Sequence, residues 1–391
     1  MAAIPLAYNI RSLWRRKVTT LLTTTGVALA VGIFLVVLML AHGFRTALIE
    51  SGSVENVIVL RASATSETSS ALSRDDAAIL KTSPEISRGE GGVLLFAPET
   101  VAAVNLPRRG QPGKSSNVTV RGIAPASVPL RRQVHLLDGR LPNPGTAEVL
   151  AGRNAARGFE GCEVGGVLHM GPQTWTVVGV FEAGGTAFES EVWGDSDHVI
   201  DAFGRGGYSS ATFALADAAL DFASVKARIE GDKRLNLVVK HERDYYAETA
   251  HNLTTFISIV GSILIVLFSF GAILGAMITM YAFVEARTRE IGTLRALGFR
   301  RRAILLSFLI ESALLSLAGA ALAALPALFL QRLTFSTTNF DTFTDVTWHF
   351  RMSPEILARG FLFALVMGLL GGLLPAARAA RLPIVAALRK A

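Results

Sequence analysis

LTTFISIVGSILIVLFSFGAILGAMITMYAFV, residues 253–284, contains no charged side chain and is the stretch that decides the fold. Three further apolar runs lie at residues 18–41, 303–330 and 360–377, and Glu311 is the only charge within them. Each run is close to or above the ~20 residues that an α-helix needs to cross the hydrocarbon core of a bilayer. The sequence therefore predicts a membrane protein with four transmembrane α-helices, arranged as one span followed later by three.

The basic residues lie beside these apolar runs. Residues 1–17, 285–302 and 378–391 together hold fourteen basic and two acidic residues, whereas residues 42–252 are slightly acidic. An excess of Lys and Arg marks the cytoplasmic side of a membrane protein. The predicted organisation is a cytoplasmic segment 1–17, transmembrane helices at 18–43, 253–284, 303–330 and 357–377, an extracytoplasmic domain at 44–252, a cytoplasmic loop at 285–302, an extracytoplasmic loop at 331–356 and a cytoplasmic tail at 378–391.

The net charge of +7 and the sequence pI near 9.8 do not indicate a nucleic-acid partner. The positive charge flanks the spans rather than covering a soluble domain, so anionic lipid of the inner leaflet is its expected counterpart. The first apolar run is longer than the core of a cleaved signal peptide, and we interpret it as a retained anchor.

The long segment between the first two spans carries signals of both helix and strand. Asn56–Leu60 is an apolar run typical of a buried strand, and Ser73 is placed to cap a helix that begins at Arg74. Further strands are predicted around Val118–Arg121, Thr174–Val180 and Leu237–Val239, and a further helix over Asp221–Glu230. These signals predict a large α+β extracytoplasmic domain inserted between the first and second spans.

The stretch 108–116, RRGQPGKSS, has the Gly-Lys-Ser of a phosphate-binding loop. The motif requires a glycine five residues before Gly113, and Arg108 stands there instead. We therefore predict an exposed polar turn. If ATP drives this protein, the ATP is hydrolysed on another chain.

Other catalytic patterns do not occur in the sequence. Cys162 is the only cysteine, which excludes an intramolecular disulfide and a thiolate metal cluster. The seven histidines do not have the spacing of a zinc-binding helix, and Gly-x-Ser-x-Gly is missing. We expect no catalytic residues, no metal and no cofactor on this chain, which makes it a non-catalytic subunit rather than an enzyme.

Glycines recur in the apolar runs, notably Gly261, Gly271 and Gly275 in the second and Gly368 and Gly372 in the fourth. Small residues allow helix backbones to approach closely in lipid. We expect these glycines to serve helix packing, since a substrate pore would need a polar lining.

The cytoplasmic loop 285–302 predicts a short helix with one apolar face. Ile291, Leu294 and Leu297 recur every three residues among charged side chains, and Gly298 is placed to end the helix with a positive φ. From the pattern alone, an amphipathic helix lying on the lipid surface remains the simpler interpretation.

REIGTLRALG, residues 289–298, lies between two long apolar runs and resembles the signature of the FtsX-like permease family of ABC transporters, which includes MacB-type and LolC/LolE-type subunits. The tail LPAARAARLPIVAALR, residues 374–389, is similar to the C-terminal ending of that family. The segment 44–252 resembles the periplasmic core domain of MacB, through VRGI at 120–123, DGR at 138–140 and VVGV at 177–180.

The resemblance implies that the loop 285–302 is a coupling helix that docks on a separate ABC ATPase, which binds ATP and Mg. The residues that match the family motif, and to which this ATPase-coupling role carries over, are Glu290, Ile291, Gly292, Leu294, Arg295, Ala296, Leu297 and Gly298. We expect the three apolar side chains to enter a groove on the ATPase and Arg295 to pair with one of its acids. The resemblance also implies a second permease copy or paralogue, with a periplasmic adaptor or membrane-fusion protein as a further partner.

Glu311 is the one acidic residue deep in an apolar run. A carboxylate at membrane depth is costly, so it usually faces protein or water and marks a functional position. The alternative is structural pairing with a basic side chain near the inner interface, since Glu311 lies about two turns from the cluster Arg300–Arg302.

The function implied by the resemblance is that of an inner-membrane permease that drives extraction or export of a lipophilic, lipoprotein or periplasmic substrate by moving its outer domain. The alternative is mechanical activation of an extracytoplasmic partner such as a cell-wall hydrolase. A domain of about 210 residues at 44–252 resembles the transport-type members more than the cell-division members.

Overall fold

The structure is a computed structural model that describes residues 17–216, 221–339, 343–384 and 387. The predicted cytoplasmic segment 1–17, apart from Lys17, and most of the predicted tail beyond Ile384 lie outside the described residues. The ten α-helices of the described residues are α1 Lys17–Ile49, α2 Arg74–Lys81, α3 Ser127–Leu130, α4 Arg153–Gly158, α5 Ser196–Ala202, α6 Phe222–Glu230, α7 Glu242–Ala286, α8 Thr288–Ala296, α9 Arg301–Leu330 and α10 Pro354–Arg381.

The strands of the described residues fall into one large sheet and one hairpin. They are β1 Asn56–Arg61, β2 Phe96–Pro107, β3 Ser115–Ile123, β4 His135–Gly139, β5 Glu148–Gly152, β6 Val167–Met170, β7 Gln173–Glu182, β8 Val192–Asp195, β9 Ser210–Ala214, β10 Leu237–His241, β11 Thr334–Asn339 and β12 Thr344–His349.

The chain divides into two compact units. The helical unit comprises residues 1–42, 256–333 and 350–391, and the sheet unit comprises residues 43–255 and 334–349. Four helices, namely α1, α7, α9 and α10, are long and apolar enough to cross a membrane. The prediction of four apolar helices and an α+β region is thus confirmed at the level of secondary structure.

The large sheet has the strand order β10-β1-β9-β2-β3-β8-β5-β7-β4, with β6 paired to β7. All pairs are antiparallel except β3 with β8 and β5 with β7. Strand β1 is buried on both faces, because Val57 and Val59 belong to one core cluster while Ile58 and Leu60 belong to another. This explains why its sequence is continuously apolar rather than alternating.

Several local signals in the sequence are confirmed by the structure. Ser73 caps α2 in a capping box, in which its hydroxyl accepts from the Asp76 N–H and the Asp76 carboxylate accepts from the Ser73 N–H. Asp221 caps α6 through the Ala223 N–H. Residues 109–114 form the exposed turn between β2 and β3, with Gly110 and Gly113 at positive φ. The stretch that resembles a phosphate-binding loop is therefore a hairpin turn.

The predicted loop 331–356 contains a β-hairpin that the sequence analysis missed. Strands β11 and β12 pair antiparallel and belong to the sheet unit, although α9 and α10 of the helical unit flank them in the chain. The hairpin contacts β3, where the Thr119 hydroxyl donates to Thr344 Oγ1 at 2.8 Å. Arg108, the residue that follows β2, forms an ion pair with Asp345.

Within the helical unit, α9 and α10 pack against each other through small residues. A Cβ at Gly368 would lie 2.2 Å from the Ser316 hydroxyl oxygen, so only glycine fits this crossing. Within the described residues of this chain, Gly271 and Gly275 pack against no other helix, because no atom lies within 4 Å of a Cβ placed at either position. These two glycines instead line an open groove between α1 and α7.

Candidate functional site

The short helix predicted in the loop 285–302 is α8, Thr288–Ala296, and its C-terminal end is defined by glycine. Gly298 has a φ of +93°, which confirms the predicted helix stop. The Gly298 N–H donates to the Arg295 carbonyl and the Phe299 N–H donates to the Leu294 carbonyl, both at 3.1 Å. These are the two hydrogen bonds of a Schellman motif, and they satisfy carbonyls that the helix end leaves open.

One side of α8 is anchored inside the helical unit. Ile291 is 2% exposed and belongs to a core cluster with Met280 and Phe283 of α7 and Phe308 of α9. Gly292 is buried as well, and Leu294 packs partly buried against the same cluster. Ile291 is therefore buried within this chain, whereas Leu294 keeps part of its apolar surface exposed, and the expected contact of these residues with an ATPase stays a prediction.

Arg295 also contacts its own chain rather than projecting freely. Its Nη1 donates to the Ala380 carbonyl at 3.2 Å, in the last turn of α10. A cation at a helix C-terminus interacts favourably with the partial negative charge of the last carbonyls. Arg295 therefore connects α8 to α10, and its expected pairing with an acid on the ATPase stays a prediction.

The outward side of α8 is a small mixed surface, which we call the docking face. It consists of the exposed residues Arg289, Glu290, Thr293, Ala296, Leu297 and Gly298. Leu297 is 73% exposed and is the one large apolar side chain among them. The sequence period had placed Leu297 on the same face as Ile291, but the helix ends at Ala296 and Leu297 is already its C-cap.

Glu311 is buried in α9 and forms an ion pair with Arg287, at the junction between α7 and α8. Arg287 Nη1 donates to Glu311 Oε2 at 2.8 Å, and Arg287 Nε donates to Glu290 Oε2 at 3.1 Å. The guanidinium carbon of Arg287 also lies 5.3 Å from the centre of the Phe308 ring. This ion pair agrees with the alternative expectation that Glu311 pairs with a basic side chain; the partner is Arg287, whereas Arg300–Arg302 are exposed.

Arg287 is the residue of this site that sequence reasoning missed. The side chains of Arg287 and Glu311 are 7% and 2% exposed, so the pair is removed from water. Arg287 also contacts Glu290 of the docking face, and so it connects that face to the third apolar helix. The signal in the sequence was the single acid at Glu311, because a buried carboxylate requires a basic partner.

The cysteine of the sheet unit is buried in its core. Cys162 is fully buried, and burial raises the pKa of its thiol to about 12, so the reactive thiolate is suppressed. Within the described part of the chain, no three His, Cys, Asp or Glu side chains are grouped so that they hold a metal ion.

Comparison with known proteins identifies the class. Residues 262–384 match the family profile of the FtsX-like permease C-terminal region, and residues 20–232, more than half of the chain, match that of the MacB-like periplasmic core domain. The chain belongs to the FtsX-like, MacB-type permease family. The family and the four apolar helices together indicate a multi-pass permease of the inner membrane.

Curated relatives include the macrolide export ATP-binding/permease proteins MacB of Hahella chejuensis and Photorhabdus laumondii. The first is 30% identical over 253 residues, covering 58% of this chain and 35% of that protein. The second is 34% identical over 143 residues, covering 37% of this chain and 20% of that protein. The aligned part of the chain thus spans between a fifth and about a third of the length of these relatives.

Solved structures with similarity to the chain are periplasmic or extracellular regions. The periplasmic region of MacB from Actinobacillus actinomycetemcomitans has a TM-score of 0.37 and 14% identity, covering 50% of this chain and 92% of that one. The extracellular domain of the ABC-type transporter YknZ from Gram-positive bacteria has a TM-score of 0.36 and 16% identity, covering 47% and 99%.

Proposed function

We propose that this chain is the membrane subunit of an ABC transporter and that it couples ATP hydrolysis on a separate ATPase chain to movement of the sheet unit outside the membrane. Membership of the FtsX-like family carries this proposal. In the proposed orientation α8 lies in the cytoplasm, together with both chain termini, because the basic residues flank the apolar helices on that side. The subunit works beside a second permease copy or paralogue.

The docking face of α8 is the proposed contact with the ATPase. Leu297 supplies the apolar centre of this face, and Glu290 lies on it beside Arg287. Because Arg287 also pairs with Glu311, a force on the docking face reaches α9 through one buried side chain. The anchoring of Ile291 and Arg295 keeps α8 attached to the helical unit while its outward side remains available.

Leu297→Asp tests the docking face. Placing a charge at the apolar centre of an interface is expected to cost about 2 kcal/mol or more of binding free energy, which corresponds to at least a roughly 30-fold loss of bound ATPase. The measurement is the amount of ATPase that co-purifies with the chain from its native membrane in mild detergent, together with the ATP hydrolysis of the complex.

Leu136→Asp is the matched control, because Leu136 is an exposed leucine of the sheet unit. We expect it to retain the ATPase at the level of the wild type. If Leu297→Asp also retains it, α8 is a surface helix on the membrane and the proposed docking face is incorrect.

A lipophilic or amphipathic substrate is the proposed cargo. The groove between α1 and α7 has a volume of about 680 Å³ and is lined mainly by apolar side chains and glycines, with Thr23 and Thr279 as its polar members. Both helices belong to the helical unit in this region. An apolar groove of this size suits a lipid chain or a drug-sized amphiphile better than an ion or a sugar.

Gly271→Leu separates cargo transport from purely mechanical activation of a periplasmic partner. The position is open, so the leucine is expected to fill the groove without a clash and to improve helix propensity. We expect export of the substrate, followed as accumulation of a fluorescent lipid or macrolide in cells, to fall several-fold while the ATPase still co-purifies. Gly271→Ala is the control and should transport normally. If Gly271→Leu exports the substrate as well as the wild type, the groove does not bind the cargo.

A further inference from the structure

A network of six charged side chains is buried at the centre of the sheet unit. All of its members are at most 10% exposed at the side chain. They are Glu67, Glu99, Arg121, Arg131, Glu191 and Glu242. The members come from a loop, from β2 and β3, from the residues after α3 and before β8, and from the first turn of α7.

Arg121 is the centre of this network. Its guanidinium donates two hydrogen bonds to Glu67, at 2.9 and 3.1 Å, and two to Glu191, at 2.8 and 3.0 Å. Its Nη1 also donates to Glu99 at 3.0 Å. Arg131 binds Glu99 through both terminal nitrogens and reaches Glu242 at 3.3 Å.

The network contains more negative than positive groups. With every group ionised, four carboxylates and two guanidiniums leave a formal charge of −2 inside the sheet unit. An uncompensated charge away from water is unstable, and a buried carboxyl group in that position usually takes up a proton instead. The other titratable groups that face the network are Tyr245 and Tyr246 of α7 and the Arg108–Asp345 ion pair.

A small cavity lies against one side of the network. Its volume is about 40 Å³, which is enough for one water molecule. Two of the carboxyl groups, those of Glu67 and Glu191, line it, whereas Glu99 and Glu242 do not. Tyr246 also lines it, is 5% exposed, and its hydroxyl has no hydrogen-bond partner among the described residues. A water in the cavity would satisfy that hydroxyl and accept a proton from a neighbouring acid.

Glu191 is the better of the two candidates for the proton. Burial raises the pKa of Glu191 and also that of Glu242, which does not line the cavity, whereas Arg131 and Arg121 hold the pKa of Glu99 below its usual value despite its burial. Glu191 Oε2 accepts from the Trp193 indole N–H at 2.7 Å, and this contact opposes the rise in the pKa of Glu191. Glu67 accepts from the Ser210 hydroxyl at 2.7 Å in addition to the two bonds from Arg121.

The cavity lies beside the segments that connect the sheet unit to the apolar helices. Its lining includes Leu48 of α1, Thr249 of α7 and Val346 of the hairpin, all of them within the sheet unit. These are the segments through which the chain continues into the four apolar helices. A change of charge here acts on the parts of the sheet unit that are covalently connected to those helices.

We propose that this buried network is a proton-binding site, in which Glu191 keeps its proton at pH values where an exposed glutamate is ionised and releases it into the cavity as the pH rises further. The released proton leaves a second uncompensated charge beside Tyr246 and the hairpin. The parts of α1, α7 and the hairpin that line the cavity are then held less tightly in the sheet unit. The inference concerns the sheet unit alone and does not depend on the proposed transport function.

The sign of the pH dependence follows from this assignment. A carboxyl group whose pKa is raised in the folded state contributes its full stabilisation below the pKa of an exposed glutamate and loses it as pH rises through the raised value. The wild-type sheet unit is therefore expected to become less stable as the pH rises from the pKa of an exposed glutamate to the raised pKa of Glu191. Glu191→Gln, which mimics the neutral acid, is expected to flatten this dependence.

The test uses the full chain in lipid nanodiscs and acid-minus-base infrared difference spectra, with protons as the only ligand. A protonated carboxyl band that disappears at alkaline pH is expected in the wild type and is expected to be missing in Glu191→Gln. Glu99→Gln is the control that should retain the band. Tyr246→Phe removes only the hydroxyl and should shift the frequency of the band, which keeps the test valid if Glu191→Gln does not fold.

Three results would overturn the proposal. They are a wild type without a titrating carboxyl band, a band that persists in Glu191→Gln, and a band that is lost in Glu67→Gln instead. An unchanged band frequency in Tyr246→Phe would contradict the role of the cavity.

Discussion

Arg121→Met is expected to destabilise the sheet unit by about 3–5 kcal/mol, the range found when one partner of a buried ion pair is removed. The substitution keeps an unbranched side chain but leaves Glu67 and Glu191 without their bidentate partner and takes one donor from Glu99. Each carboxylate then remains buried with its desolvation only partly compensated. We expect a large fraction of the variant to be unfolded in this unit.

The single cysteine provides the measurement. Cys162 belongs to a core cluster of the sheet unit and is fully buried, so a thiol reagent labels it only after that unit opens. Labelling of the full chain in membranes, followed over increasing urea concentration, reports the stability of this unit separately from the apolar helices. The native protein at mildly alkaline pH should label very slowly, since the pKa of the thiol is about 12.

Arg153→Met is the matched control. Arg153 pairs with Glu182 where both side chains are about one third exposed, and exposed pairs contribute at most about 1 kcal/mol. The urea midpoint of Arg153→Met should therefore lie near that of the wild type. Equal midpoints for Arg121→Met and Arg153→Met would show that the buried network contributes nothing specific to stability.

Arg287→Met is expected to impair the helical unit, and Glu311→Gln in the same chain is expected to restore much of what is lost. The single change leaves Glu311 buried without the ion pair that Arg287 provides, whereas the double change removes both charges. Breaking a buried pair on one side costs about 3 kcal/mol or more, but replacing both partners is often nearly neutral. Non-additivity of this kind is the signature of direct coupling.

The measurements are the yield of folded chain in detergent and the ATP hydrolysis of the co-purified complex. Arg332→Met serves as control, because Arg332 is an exposed arginine of the helical unit beyond the last residue of α9. If the double variant recovers its yield but not its ATP hydrolysis, the ion pair transmits force from α8. If the single variant equals the wild type in both measurements, the ion pair has neither role.

The parts of the structure that depend on neighbours in sequence were predictable. The cap at Ser73 and the turn at Gly110 and Gly113 follow from residues within a few positions of one another. The helix stop at Gly298 is of the same kind, because only glycine takes a positive φ without strain. The four apolar helices follow from composition alone.

The parts that depend on distant residues were not predictable in detail. Glu242 and Asn56 are far apart in the chain, yet the Asn56 amide donates to Glu242 at 2.8 Å. The inward orientation of Ile291 is set by Phe283 and Phe308, and no local pattern distinguishes that burial from contact with a partner. The sequence pattern indicated an apolar face on α8, but the pattern of one short helix does not show whether that face packs inside the chain or contacts a partner.

The hairpin β11–β12 has a consequence for how the molecule is made. Synthesis produces residues 43–255 first, whereas residues 334–349 emerge only after α7, α8 and α9. Until then Thr119 and Arg108 lack the hairpin contacts that they make in the finished protein, and Trp348, which is almost fully buried there, has not yet been made. The sheet unit can therefore complete its fold only late during translation. By that time the third apolar helix, α9, has already been synthesised.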